Sequence, residues 1–155
     1  MILSLAPLLG VWRGRGNGHY PTINDFAYLE ELTFGHVGKP FVAMGQKTRD
    51  ASTELPLHAE SGYFRPQDDG TVELVLAQPS GVLEILTGPI NSADDGLELD
   101  LASVGVHPSP SAKSVIGTRR RYVISGDSMM FDMWMAAVGK PMTHHLSARL
   151  NRVDG

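Results

Sequence analysis

An all-β barrel is the fold this sequence predicts, and three observations predict it. Turn signals recur about every 8–15 residues along the chain. The segments between them are short and apolar, several with a two-residue alternation, and helical periodicity is scarce. The chain has 155 residues, 42% hydrophobic and 19% charged, which suits one soluble domain over 1–155, long enough to bury a core or surround a cavity.

The first expected strand, 11–18, carries the most unusual pattern. Gly10, Trp12, Gly14, Gly16 and Gly18 alternate, so all five point to one face. Glycine weakens a strand interior, and a repeat of it needs a reason. A glycine wall gives room for something flat and bulky against backbone, or it allows sharp bending at a barrel corner with Trp12 plugging one end. Strands 26–36 and 41–50 follow, separated by Gly38-Lys39-Pro40, and strand 57–65 starts after Pro56. Pro66 and Asp68-Asp69-Gly70 precede the alternating strand 71–78, and Pro79-Ser80-Gly81 precedes 82–90. Asp94-Asp95-Gly96 opens 96–104, where Leu97, Leu99 and Leu101 share a face. Strand 115–124 comes next. Gly126-Asp127 opens the methionine-rich strand 128–138, and Gly139-Lys140-Pro141 opens 143–153. Two connections read as longer loops, 19–25 and the Pro/Ser-rich 105–114.

About ten strands joined by tight turns place sequence neighbours side by side. Such a meander closes into an antiparallel up-and-down barrel, because closure removes exposed edges. A barrel of this size can hold one small ligand.

Composition excludes several chemistries. There is no cysteine, which removes disulfides, zinc–thiolate sites, thiolate-bound iron and thiol nucleophiles. The net charge of -4 argues against a nucleic-acid partner. The one basic cluster, Arg119-Arg120-Arg121, reads as a solvated or ion-paired strand surface. No apolar run approaches the roughly 18 residues of a membrane span. Met1 to Leu9 is apolar but lacks the basic flank and cleavage site of a signal peptide. A cytoplasmic protein without membrane or nucleic-acid partners is the expectation. No Gly-x-Ser-x-Gly elbow is present, and the doublets Glu30-Glu31 and Asp68-Asp69 read as surface charge, not as a glycosidase pair.

Histidine is the remaining lead. His144 and His145 open the last strand, and His58 in Leu57-His58-Ala59-Glu60 is a second pocket candidate. His19, His36 and His107 lie near loops and read as solvated. Met129, Met130, Met133 and Met135 crowd one strand, as core filling or as the wall of a flat apolar site.

At this point the residues carry a resemblance. Gly10-x-Trp12-x-Gly14-x-Gly16 resembles the Gly-x-Trp-x-Gly-x-Gly signature of the nitrobindin family, also called peroxynitrite isomerases. Tyr20-Pro21-Thr22-Ile23, His58-Ala59-Glu60-Ser61-Gly62-Tyr63 and His145-Leu146 follow in the family's order, so the likeness covers nearly the whole chain. It implies a ten-stranded barrel, lipocalin-like or fatty-acid-binding-protein-like, with one haem b near an open end. It also implies an isomerase that converts peroxynitrite to nitrate at a mostly ferric iron able to bind nitric oxide. His145 is implied as the proximal iron ligand, catalytic through that iron. Phe26, Leu57, His58 and Met135 would surround the haem. Thr22 and Lys113 would stand at its edge, where Lys113 could pair with a propionate. His58 could orient a water or anion.

Plain alternation disagrees on one point. It groups His144 with Leu146, Ala148 and Leu150, which would turn His144 inward in place of His145. A bulge would reconcile the two. So would an apolar outer face packed on the N-terminal segment or on a second copy in a homodimer. Two other functions stay open. A lipocalin-like carrier of a fatty acid or other small apolar ligand would use a buried arginine, Arg121 or Arg149, to hold a carboxylate. A haem or nitric oxide sensor would bind without turnover.

Overall fold

Alternation and tight turns produce a single closed sheet. The computed structural model describes residues 2–153, with side chains from residue 4 onward. A 3-10 helix, Ile2–Leu8, leads into ten strands. They are β1 (Gly10–Tyr20), β2 (Ile23–Gly35), β3 (Val42–Asp50), β4 (Pro56–Pro66), β5 (Thr71–Ala77), β6 (Val82–Ala93), β7 (Gly96–Pro108), β8 (Val115–Ser125), β9 (Ser128–Ala137) and β10 (Thr143–Val153). Each pairs antiparallel with the next, and β10 closes on β1. The chain thus runs up and down ten times and leaves no sheet edge unpaired.

The expected strands are present, with their ends moved at two places. Residues 19–25 are not a loop: β1 continues to Tyr20 and β2 resumes at Ile23, so Pro21 and Thr22 form the turn. In 105–114, β7 runs on to Pro108, where Val82 pairs with it. The free connection is only 109–114. His107 lies on the exposed face of β7 and His36 beyond the end of β2.

The two ends of the barrel differ. At the β1 start, Leu5, Leu8 and Trp12 are fully buried. Trp12 Nε1 donates to Leu8 O at 2.8 Å, and the Arg152 guanidinium stacks 4.3 Å above the indole. Arg152 also donates to the carbonyls of Pro7 and Leu9 and to Asp127. The helix is thereby tied across the barrel mouth, and Trp12 plugs that end. The core continues inward through Phe34, Val42, Phe64, Leu74, Leu99 and Phe131.

The glycine stripe makes room for close strand approach and ring packing. A Cβ on Gly14 would fall 1.9 Å from the carbonyl oxygen of Arg149 on β10, so strand crossing forbids a side chain there. A Cβ on Gly16 would lie 2.3 Å from the Tyr28 ring, and one on Gly18 2.2 Å from the Phe26 ring. These rings from β2 occupy the space the glycines leave.

Two sequence readings are corrected inside the barrel. The arginine cluster is only partly surface. Arg119 pairs with Asp100 and Arg121 with Glu98 on the outside, but Arg120 is fully buried. Alternation along β8 puts it on the same face as Tyr122 and Ile124. Glu30 is likewise interior, whereas Glu31 on the opposite face pairs with Arg13.

Candidate functional site

The end opposite Trp12 holds a cavity of about 700 Å³, within the range of roughly 300–1,000 Å³ typical of small-molecule sites. Phe26, Val82, Val115, Met133, Met135 and Leu146 give it apolar walls. Tyr28, Gln46, Thr48, His58 and Glu60 add polar groups, and Thr22, Gln78, Ser80, Ser111 and Lys113 add more. The lining includes all seven residues expected there, Thr22, Phe26, Leu57, His58, Lys113, Met135 and His145. Met133 and Met135 form wall as the methionine pattern suggested, while Met129 is core and Met130 faces outward.

A bulge places His145. On the β9–β10 ladder, His144 pairs with Trp134 and Leu146 with Met133, so His145 is an extra residue without a partner on β9. His145 and Leu146 both line the cavity as a result. His144 faces the other way. Its Nε2 lies 2.9 Å from Asp132, its Nδ1 lies 3.2 Å from His19 Nε2, and its ring meets Trp134 edge-on. His19 is therefore not a solvated loop histidine; it sits half-buried in this outer chain of contacts.

The geometry fixes the protonation pattern of His145. Its Nδ1 lies 2.9 Å from the carbonyl oxygen of His19. A carbonyl only accepts, so Nδ1 carries the proton and Nε2 keeps its lone pair. Burial, outweighing that hydrogen bond, lowers the pKa of the ring, and the neighbouring histidines add to the effect. A neutral, oriented imidazole with a free Nε2 is the form a metal ligand needs. The Tyr20 ring stands edge-on at 5.3 Å. Its hydroxyl donates to Met135 O at 3.0 Å and accepts from Ala137 N at 3.0 Å, which ties the end of β1 to β9 behind the bulge. Val138, at the mouth, has φ 47, an uncommon conformation for a β-branched residue.

Sequence reasoning missed Tyr20, Glu60 and Arg120. Tyr20 is the next even position after Gly18, so extending the same stripe by two residues finds it. Glu60 and Arg120 lie 60 residues apart in sequence and meet only across the closed barrel, with Arg120 Nη1 to Glu60 Oε2 at 2.7 Å and Nη2 to Oε1 at 3.1 Å. No local pattern announces such a pair.

The residues fit a haem. Among the described residues no group of three or more His, Asp or Glu side chains could hold a metal ion alone. One imidazole facing an apolar cavity suits a metal that arrives with its own equatorial ligands. His145 would hold the iron, Phe26, Met133 and Met135 would pack on the ring, and Lys113 and Thr22 stand where carboxylate side groups could be met.

Known proteins share this barrel. A family model described as the THAP4-like, heme-binding beta-barrel domain matches residues 1–152. A protein named peroxynitrite isomerase 2 from Mycobacterium marinum is 48% identical over 149 residues, 96% of this chain and 92% of that one. A peroxynitrite isomerase from Nocardia farcinica is 48% identical over 151 residues, 97% and 90% of the two chains. The crystal structure of Rv2717c from M. tuberculosis superposes with a TM-score of 0.95 at 46% identity, covering 99% of this chain and 97% of the other. The chain belongs to this heme-binding β-barrel family, the nitrobindin family.

Proposed function

We propose that this chain is a haem-dependent peroxynitrite isomerase that converts peroxynitrite to nitrate, with one haem b per chain held through His145. The observation that carries the reading is the bulged His145, whose free Nε2 faces an apolar cavity while its Nδ1 proton is held by His19 O. The names of the relatives support it. The haem supplies a ferric iron, and the isomerisation needs no outside electron donor because reactant and product share an oxidation level. The chain supplies the rest. His145 anchors from one side. Tyr20 and the β9 backbone keep the bulge in place. Phe26, Met133 and Met135 exclude water from the walls. Lys113 and Thr22 meet the polar rim. Nitric oxide would bind at the same iron.

The fatty-acid-carrier reading loses its anchor. Arg121 is engaged outside by Glu98 and Arg149 is exposed. The arginine that is inside, Arg120, already holds Glu60 in a bidentate pair.

A hemin titration followed by absorption tests the proposal. The wild type and His144→Ala should show the Soret shift of bound haem, and His145→Ala should not. Haem-loaded protein should then speed peroxynitrite decay in stopped flow, shift the product toward nitrate and suppress nitration of added tyrosine. Equal acceleration by haem-free and haem-loaded wild type would reject the mechanism. Binding without acceleration would leave a sensor.

A further inference from the structure

Three carboxyl side chains and one guanidinium, those of Glu30, Glu60, Glu84 and Arg120, are buried inside the barrel, and the reading above gives none of them a role. Burying charge costs several kcal/mol per ion unless it is well paired, roughly by the desolvation scale for real proteins, so their arrangement calls for a reason. Arg120 grips Glu60 with two nitrogens, and Glu60 Oε1 lies 3.2 Å from His58 Nε2. Both His58 and Glu60 line the cavity. Burial alone would raise the Glu60 carboxyl, but the guanidinium and the His58 hydrogen bond outweigh it and hold the carboxyl below its usual range. A carboxylate that stays ionised can only accept. His58 therefore donates through Nε2, which leaves Nδ1 with no hydrogen-bond partner among the described residues.

We propose that Arg120 and Glu60 are positioning residues for His58, and that His58 Nδ1 takes the proton of a small weak acid entering the cavity. The proton passes from the acid's O–H or N–H to Nδ1. The acid is left as its anion, and the imidazolium formed is countered by Glu60, which keeps both its bond to Nε2 and its pair with Arg120. Nothing is oxidised or reduced. The arrangement is that of a histidine held by a carboxylate from behind, so that proton transfer at the front needs no reorientation. Peroxynitrous acid, the protonated form of the proposed substrate, belongs to the class; so do hydrazoic and hydrofluoric acids. The link to peroxynitrite rests on the haem reading, whereas the geometry of His58 does not.

Two measurements separate them. In haem-free protein, long-range proton–nitrogen NMR should show His58 with a protected Nε2 proton, exchanging far more slowly than the ring proton of exposed His107. Removing Glu60 alone would strand the buried Arg120, so the variant used is Glu60→Leu with Arg120→Met, which replaces both charges with apolar groups; Glu84, 3.8 Å from Arg120, keeps its bonds from Ser103 and Thr118. That double variant should lose the protection. An unprotonated Nε2 in the wild type, or unchanged protection in the double variant, would overturn the positioning role, whatever the fate of the haem reading. In ferric haem-loaded protein, azide affinity should fall about tenfold in His58→Ala, the loss expected for one hydrogen bond to a charged group, and by a similar factor in the double variant. Azide bound as tightly by both as by wild type would overturn the proton-accepting role while leaving haem binding intact.

Discussion

The closed end and the open end of this barrel are built on opposite terms. At the closed end the strong donors Trp12 and Arg152 have partners close in space: Trp12 bonds Leu8, and Arg152 takes the carbonyls of Pro7 and Leu9. At the open end the His145 Nε2 and the His58 Nδ1 are left without partners among the described residues, and Tyr28 and Gln46 carry buried polar atoms with none. Satisfied groups hold the fold, and unsatisfied ones wait for a ligand. The same ten strands serve both because each strand passes through both ends.

If that division is right, changes at the closed end should cost stability and spare binding. Trp12→Ala should destabilise by about 3–5 kcal/mol, as large-to-small core changes do. Folded molecules of this variant, at low temperature, should still take up hemin with nearly wild-type affinity. Denaturant unfolding beside a hemin titration checks both halves.

The interior between the ends should give the next largest effect, and it depends on pH. Burial, with Glu60 adding to it, pushes the Glu30 carboxyl up to about 7 against the ordinary value of 4.5, while the Gln46 hydrogen bond and Arg120 partly oppose this. The unfolded chain releases this proton near 4.5 and the folded barrel holds it to about 7. Between those values the folded state binds more protons, so this group's contribution falls as pH rises, by about 3 kcal/mol over the window. Glu30→Gln should remove that slope in urea unfolding measured from pH 4.5 to 7.

The glycine stripe crosses from one region to the other and should divide accordingly. Gly14→Val meets backbone at 1.9 Å, which cannot step aside, and should lower stability by roughly 1–3 kcal/mol. Gly18→Val meets the Phe26 ring, which can swing toward the cavity. Its main effect should be weaker haem uptake with a smaller loss in melting temperature. The smallest effect belongs outside both regions: Arg13→Ala breaks an exposed pair with Glu31 and should cost less than about 1 kcal/mol.

Much of this was readable from the chain. Turn residues marked the strands because glycine at Gly70 (φ 85) and Gly126 (φ 56) supplies a backbone that other residues rarely adopt. The cavity residues followed from the family's motifs. The polar interior did not, because alternation assigns Arg120 to the opposite face from Arg119 and Arg121 without saying which face is inside. Its partner Glu60 lies on a strand that only barrel closure brings across. The helix of residues 2–8 was also missed. It makes no amphipathic repeat, and its fold depends on Trp12 and Arg152.

The bulge in β10 makes the inward histidine a matter of counting. From Leu146 onward the strand keeps its pairing with β9, and Thr143 keeps its own with Met135. Two histidines fill a gap that regular pairing would fill with one. Deleting either gives the same shorter sequence, whose single histidine falls opposite Trp134 on the outer surface. The barrel would then have its full register and every other cavity residue, His58 included, yet no imidazole facing in from β10. On the proposed reading, the loss of one codon would remove the iron ligand as fully as the loss of the His145 side chain.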